Sequence, residues 1–226
     1  MSLKLFITGT DTGVGKTYLS TGILRLFNQH GYSTLGIKPI ATGMTDVNSD
    51  VAALYENASI KLDYRLINAF TFQLPIAPHI AAHQAGIQLT AESIISRIDY
   101  ALNYPAQVQI IEGIGGWHVP LNSKETMENI VRTLQLNVIL VVGIRLGCLN
   151  HALLSVRAIK AAGVNFVGWV ANCIDIAMHY PIENIDYLKS QIDVPYLGTI
   201  LPHQQPEESI DIKSMSGFNM SDINKN

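Results

Sequence analysis

The chain has 226 residues, of which 48% are hydrophobic and 15% charged, and its net charge at pH 7 is −3. That length suits one α/β domain, and the ample apolar content excludes a mainly disordered chain. The slight negative charge leaves no basic footprint for nucleic acid, and two cysteines are too few for a disulfide scaffold or a zinc site.

The most apolar run, Leu136–Ile144, falls far short of the roughly 20 residues that cross a bilayer. The brief apolar start of MSLKLFITGT is no signal peptide, so a cytoplasmic protein without membrane or nucleic-acid partners is expected. The charged fraction lies below the roughly 25% usual for soluble domains, which points weakly to surface buried against another subunit.

β-rich runs alternate with amphipathic stretches along the chain, the pattern of βαβ units and a mainly parallel sheet. A first strand at Leu3–Thr8 leads into Gly9-Thr10-Asp11-Thr12-Gly13-Val14-Gly15-Lys16-Thr17 and a helix at Lys16–Gln29, with Gly31 as its stop. Strand, glycine loop and helix in that order make a phosphate-binding loop, although one residue longer than the common pattern. Loop N–H groups and the positive helix end would wrap a phosphate, Lys16 would reach the β and γ oxygens, and Thr17 would take a place on Mg²⁺. A nucleoside triphosphate site follows, but kinases, switches, partitioning ATPases and ligases all share the motif.

A second strand, Thr34–Lys38, carries Lys38 into that cleft, where it can stabilise charge developing near the γ-phosphate, and Pro39 sets the chain direction after it. Asn48-Ser49-Asp50 opens a helix over Ser49–Asn57; Asp50 reads equally as a Mg²⁺ ligand or an ordinary acidic residue at a helix start. Residues 62–89, with Pro75, Pro78, His79 and His83, break the rhythm and read as a loop plus short helix over one end of the sheet, without a clean strand. His79 and His83 read either as packing residues or as something more.

A helix at Ala91–Leu102 precedes a strand at Val108–Glu112, and Glu112 stands before glycines where a Walker-B-like Mg²⁺ carboxylate belongs. A helix at Glu125–Leu134 and a strand at Val138–Val142 lead to Gly147-Cys148-Leu149-Asn150-His151. This is the start of a helix over Asn150–Ala162, stopped by Gly163, and reads as an anion site or a simple capped start. The strand Val164–Ala171 ends at Asn172 and Cys173, where the Asn172 amide could read an adenine edge. Both cysteines read as small buried residues. A helix at Ile182–Gln191, a strand at Tyr196–Ile200 and a polar tail fraying from about residue 209 complete a domain expected to span 1–226. The expected architecture is a three-layer α/β fold of the P-loop NTPase type, a mainly parallel sheet flanked by helices.

The motifs GTDTGVGKT, GIKPIATG, NSD, PHIAAH, IEGIGGWHVPL, VVGIRLGCLNHALL and GWVAN occur in order from Lys4 to about Pro202. Together they resemble the dethiobiotin synthetases, whose phosphate loop has the same longer spacing. The resemblance implies a homodimeric ligase that joins CO₂ to 7,8-diaminononanoate using ATP and Mg²⁺. An N-carbamate and a carbamic-phosphoric anhydride lead to the cyclic urea, with ADP and phosphate released.

It assigns Lys38 and Lys16 to catalysis, Thr17, Asp50 and Glu112 to Mg²⁺, and Thr12 and Thr42 to substrate, Thr42 replacing a serine. Gly13, Val14, Gly15, Lys16, Thr17, Tyr18, Asp50, Glu112, Gly113, Ile114, Gly115, Asn172 and Cys173 match nucleotide contacts; Pro202, His203 and Glu207 fall on the adenine side after a register slip at Gly198. Cys148, Leu149 and Asn150 match a helix start that holds the substrate carboxylate of the partner subunit. Gly13 stands where some members carry an acid, and Cys173 where an acid is often found. A partitioning-type switch ATPase is the main alternative, but Asp11 occupies the place of its signature lysine. An inactive homologue is disfavoured by retention of Lys16, Lys38, Asp50 and Glu112, and a small-molecule kinase by the lack of an arginine-rich lid.

Overall fold

In a computed structural model that describes residues 2–43 and 48–215, the chain begins β1 (Leu3–Gly9), α1 (Lys16–Gln29), β2 (Thr34–Ile37), β3 (Ile40–Thr42) and α2 (Ser49–Asn57). It continues α3 (Tyr64–Ile67), β4 (Phe70–Phe72), α4 (Pro78–Gln84), α5 (Ala91–Leu102), β5 (Val108–Glu112) and α6 (Met127–Thr133). The last part is β6 (Asn137–Ile144), α7 (Cys148–Ala161), β7 (Asn165–Cys173), α8 (Pro181–Gln191), β8 (Tyr196–Ile200), α9 (Pro206–Ser209) and a 3-10 turn at Ile212–Ser214. Six strands form one sheet in the order β2-β5-β1-β6-β7-β8, and every neighbouring pair is parallel.

Successive side chains on a strand face opposite ways, and both faces of this sheet are covered. Leu5 and Ile7 of β1 pack with Leu19, Ile23 and Phe27 of α1, whereas Phe6 joins a larger core with Ile94 and Ile98 of α5. Ile139 and Val141 of β6 take the α1 side, and Val138, Leu140 and Val142 take the other with α6 and α7. This is the expected three-layer arrangement.

The segment expected to lack a strand contains one. Phe70–Phe72 pairs in parallel with Ile40–Thr42 as a separate two-stranded sheet. Each strand has only three residues, too few to show an alternation in the sequence. The tail expected to fray from about 209 is packed as far as residue 215, with Ile210, Ile212 and Met215 buried against the α1 side of the sheet. The rest of that expectation, 216–226, lies outside the described residues. Among the described residues, no helix is long and apolar enough to cross a membrane.

Three local devices aim the strand ends. The register Ile37↔Ile111 of β2 and β5 sets Lys38, one residue past β2, beside Glu112, the last residue of β5. Asn48 caps α2 by accepting from the Asp50 N–H at 2.9 Å, a contact worth about 1 kcal/mol. Gly36 lets α2 lie close to the sheet, because a Cβ there would sit 2.8 Å from the Leu54 Cβ and 3.1 Å from its carbonyl. The Gly36→Ala variant is therefore expected to lose about 1–3 kcal/mol. Urea unfolding should show a lower midpoint with an unchanged slope. A midpoint equal to wild type would mean that α2 moves outward without cost.

Candidate functional site

The loop between β1 and α1 is shaped by one glycine in particular. Gly15 precedes α1 with φ +90°, and a Cβ there would meet the Asn172 amide nitrogen at 2.1 Å. No side chain caps the start of α1, so its first N–H groups remain for a ligand. Asn172 props the loop from below by donating to the Val14 carbonyl at 2.9 Å. One donor of the amide expected to read a base is thus already engaged. Asp11 accepts from the Thr12 N–H at 2.7 Å and pairs with Arg145 at 2.5 Å, fixing the other shoulder of the loop.

Lys16 is buried and donates to the Asp11 carbonyl at 2.9 Å. Burial first, and then the neighbouring charge of Lys38, bring its ammonium from the ordinary 10.5 down to about 8. Lys38 is 3% exposed and faces two carboxylates, Glu112 at 2.5 Å and Asp50 at 3.0 Å, and it also donates to the Gly113 carbonyl at 3.1 Å. Burial opposes its charge, but Glu112 and then Asp50 outweigh that cost and hold it above the ordinary lysine range. Burial would raise the Asp50 pKa; Lys38 overrides it and keeps the carboxyl below its usual value. Glu112 is 0% exposed, and its Oε1 also accepts from the Thr17 hydroxyl at 2.7 Å.

These groups line one cleft of 360 Å³, formed by Thr12, Gly13, Gly15, Lys16, Thr17, Lys38, Ala41, Thr42, Asp50, Glu112, Ile114 and Gly115. A larger, mostly apolar groove of 890 Å³ runs between α4 and residues 120–123, with His79 and His83 on its wall. It gathers no convergent charges, so the smaller cleft is the candidate site. Ala41 lines that cleft with no signal in its residue type. Val14 and Gly113 are buried behind it, and Tyr18 stands beyond it with its hydroxyl donating to the Gln204 carbonyl at 2.8 Å.

Pro202 and His203 are exposed past the end of β8. Cys173 is buried, and that burial, together with Cys148, pushes its thiol upward. Cys148, Leu149 and Asn150 begin α7 outside the cleft of their own chain, and α7 starts at Cys148 rather than Asn150.

The donor set fits Mg²⁺. Among the described residues, Glu112 Oε2 is buried without a hydrogen-bond partner, and Thr17 and Asp50 line the same cleft. Oxygen ligands from one or two carboxylates, completed by phosphates and water, are what this ion takes. Among the described residues, no group of three or more His, Cys, Asp or Glu gathers, so the protein alone forms no closed metal cage.

A family model described as an AAA domain matches residues 3–208. The ATP-dependent dethiobiotin synthetase BioD of Cellvibrio japonicus (strain Ueda107) is 45% identical over 206 residues, covering 88% of this chain and 90% of that protein. The protein of the same name from Nitrosospira multiformis is 43% identical over 216 residues, covering 95% of each. Among solved structures, chloroplast FtsY from Physcomitrella patens superposes with a TM-score of 0.59 at 15% identity, over 95% of this chain and 63% of that one. The septum site-determining protein MinD from Pyrococcus horikoshii OT3, complexed with Mg-ADP, gives a TM-score of 0.53 at 15% identity, over 92% and 86%. Those two likenesses speak for the fold alone.

With its pKa depressed, Lys16 would make anion binding at this loop pH-dependent. Its protonated form attracts phosphate, so affinity is expected to be full below about 8 and to decline above it. The decline approaches about tenfold per pH unit for one proton. Calorimetric titration with Mg-tripolyphosphate between neutral pH and pH 9.5 checks this, and Lys16→Met should bind weakly with no such break. Stability runs the opposite way: the buried charge costs most below about 8, and that cost is relieved as pH rises towards 10.5.

Proposed function

The chain belongs to the ATP-dependent dethiobiotin synthetase family, and on that premise we propose that it joins CO₂ to 7,8-diaminononanoate and closes the urea ring of dethiobiotin, using ATP. The observation that carries this reading is the convergence of two lysines, Lys16 and Lys38, with Glu112, Asp50 and Thr17 on one cleft. A phosphate loop alone would serve any nucleotide enzyme. A second, fully buried lysine paired to carboxylates beside it suits a reaction in which anions form and transfer.

In this mechanism a neutral amine nitrogen attacks the carbon of CO₂ and sheds its proton, giving a carbamate. The positive charges of Lys38 and Lys16 disfavour a neighbouring alkylammonium, which lowers the substrate amine pKa and then stabilises the carbamate anion. A carbamate oxygen attacks the γ-phosphorus of ATP, ADP departs, and a carbamic-phosphoric anhydride results. The second amine attacks the carbonyl carbon, phosphate leaves with the bonding pair and takes up the proton that this nitrogen sheds, and the ring closes. Mg²⁺, held by Thr17, Asp50 and Glu112, would neutralise charge on the β- and γ-phosphates. Thr12 and Thr42 offer hydroxyls to the substrate from the cleft wall.

Homodimer formation belongs to the same proposal. Cys148, Leu149 and Asn150 lie away from their own cleft, at a helix start without a side-chain cap. Nearby Leu146 is 92% exposed and Leu154 of α7 is 56% exposed, apolar surface suited to a second subunit. The substrate carboxylate would then meet the partner subunit's helix start. On the other side, Asn172, Cys173, Pro202 and His203 are the residues proposed to border the adenine. The switch-ATPase alternative gains nothing from Asp11, which pairs with Arg145 rather than supplying a lysine.

With Mg-ATP and bicarbonate, phosphate release is expected only when the diamine is present, with dethiobiotin identified by mass spectrometry. Hydrolysis indifferent to the diamine would sink this reading. Lys38→Gln should lower kcat by about 10²–10³, while ATP affinity stays within about threefold. Removing the cation beside buried Glu112 also costs stability, about 3–5 kcal/mol for a broken buried pair. The comparison is therefore made where circular dichroism shows both proteins folded. Turnover near the wild-type level would remove Lys38 from the mechanism.

A further inference from the structure

Beyond β8 the chain makes an excursion that returns to the sheet edge. It leaves after Ile200 and comes back where Ile210 bridges Gly198, with the Asp211 N–H donating to the Leu197 carbonyl at 2.7 Å. At its head, residues 201–204 form a turn. The Gln204 N–H donates to the Leu201 carbonyl at 3.1 Å, and the Gln204 side-chain oxygen accepts from the Leu201 N–H at 3.3 Å. Pro202 and His203 form the exposed tip, and His203 has φ +66°. The register Asn172↔Ile200 sets this tip beside the strand end that props the phosphate loop.

The middle of the excursion is held by one stripe of α1. Tyr18, Gly22 and Arg25 are spaced to share a helix face. The Tyr18 hydroxyl donates to the Gln204 carbonyl at 2.8 Å. Gly22 makes room, since a Cβ there would meet the Pro206 Cβ at 2.4 Å. Arg25 grips Glu207 with a fork, Nε to Oε1 at 2.6 Å and Nη2 to Oε2 at 2.7 Å. The same guanidinium donates to the Gln205 side chain at 3.3 Å and to Asn57, at the end of α2, at 2.9 Å.

We propose that Arg25 is a positioning residue for recognition of the nucleotide base. It ties residues 204–207 to the helix whose other end carries the phosphate loop, and so fixes the distance between the exposed tip and the triphosphate. The proposal rests on the nucleotide reading given above. A planar fork matched to a carboxylate sets direction as well as distance, which a lysine cannot do. Glu207 is largely buried in the pair, so the fork holds residues 204–207 in one orientation against α1. On the nucleotide reading given above, the tip would meet the base and not the phosphates, so phosphate binding alone should not sense the clamp.

The test titrates the full-length wild type, Arg25→Ala, Arg25→Lys and Gly22→Ala with Mg-ATP, Mg-GTP and Mg-tripolyphosphate by calorimetry. Arg25→Ala should bind ATP about tenfold more weakly, a change of about 1.4 kcal/mol, while tripolyphosphate affinity stays within about twofold of wild type. The ATP-to-GTP ratio should move towards unity. Arg25→Lys should recover less than half of the loss, and Gly22→Ala, which displaces Pro206 instead, should reproduce it. In turnover, the KM for ATP rises while kcat at saturation holds. Equal weakening of ATP and tripolyphosphate, or no change in either, would overturn the proposal. A wild type that binds tripolyphosphate yet shows no gain from the nucleoside would overturn it together with adenine recognition at this rim.

Discussion

A lysine buried to 3% exposure is the constraint around which this molecule is arranged. An ammonium taken out of water costs several kcal/mol, and only close, well-directed anions offset that cost. Lys38 has them in Glu112 and Asp50, and the surrounding elements serve to keep them in place. The Asn68 amide donates to the Lys38 carbonyl at 2.6 Å, and the Lys38 N–H donates to the Ile67 carbonyl at 2.9 Å. The Ala69 and Phe70 N–H groups both donate to the Pro39 carbonyl. The insert between α2 and α4 therefore staples the chain just past β2, while α2, capped by Asn48, brings Asp50 over the ammonium.

The two lysines titrate differently because their surroundings differ. Lys38 is locked in its charged form by adjacent carboxylates. Among the described residues, Lys16 faces a backbone carbonyl and no carboxylate within bonding distance, so burial leaves it able to release its proton near pH 8. An arriving phosphate would restore that charge, which couples its protonation to occupancy of the loop. Both cations line the same cleft, one held charged by its carboxylates and the other titrating near pH 8.

Much of this arrangement was legible in the residues because the decisive signals are local. The helices Lys16–Gln29, Ser49–Asn57 and Ala91–Leu102 and the strands Val108–Glu112 and Tyr196–Ile200 have the bounds read from their caps, glycines and apolar runs. Lysine and carboxylates at strand ends announced the cleft, since a parallel sheet collects its strand ends on one side. What escaped was information carried by pairing across long distances. Strands β3 and β4 are too short for periodicity, and each is defined only by the other. The start of α7 lay two residues early because Gly147, without a capping side chain, marks it only through its backbone. The Arg25–Glu207 fork joins positions 182 residues apart, beyond the reach of any spacing rule.

The strand order carries a consequence for how the protein is made. β5 lies between β1 and β2, so the first two strands synthesised do not touch each other in the finished sheet. Lys38 meets Glu112 across 74 residues of chain. While the polypeptide is still emerging from the ribosome, the phosphate loop helix and both early strands are therefore present without the strand that joins them, and the ammonium of Lys38 stays in water. Closure of the sheet waits for Val108–Glu112 to clear the exit tunnel, at translation rates of about 5–20 residues per second. Over those seconds the apolar edges of β1 and β2 depend on chaperones, or on speed, to escape aggregation.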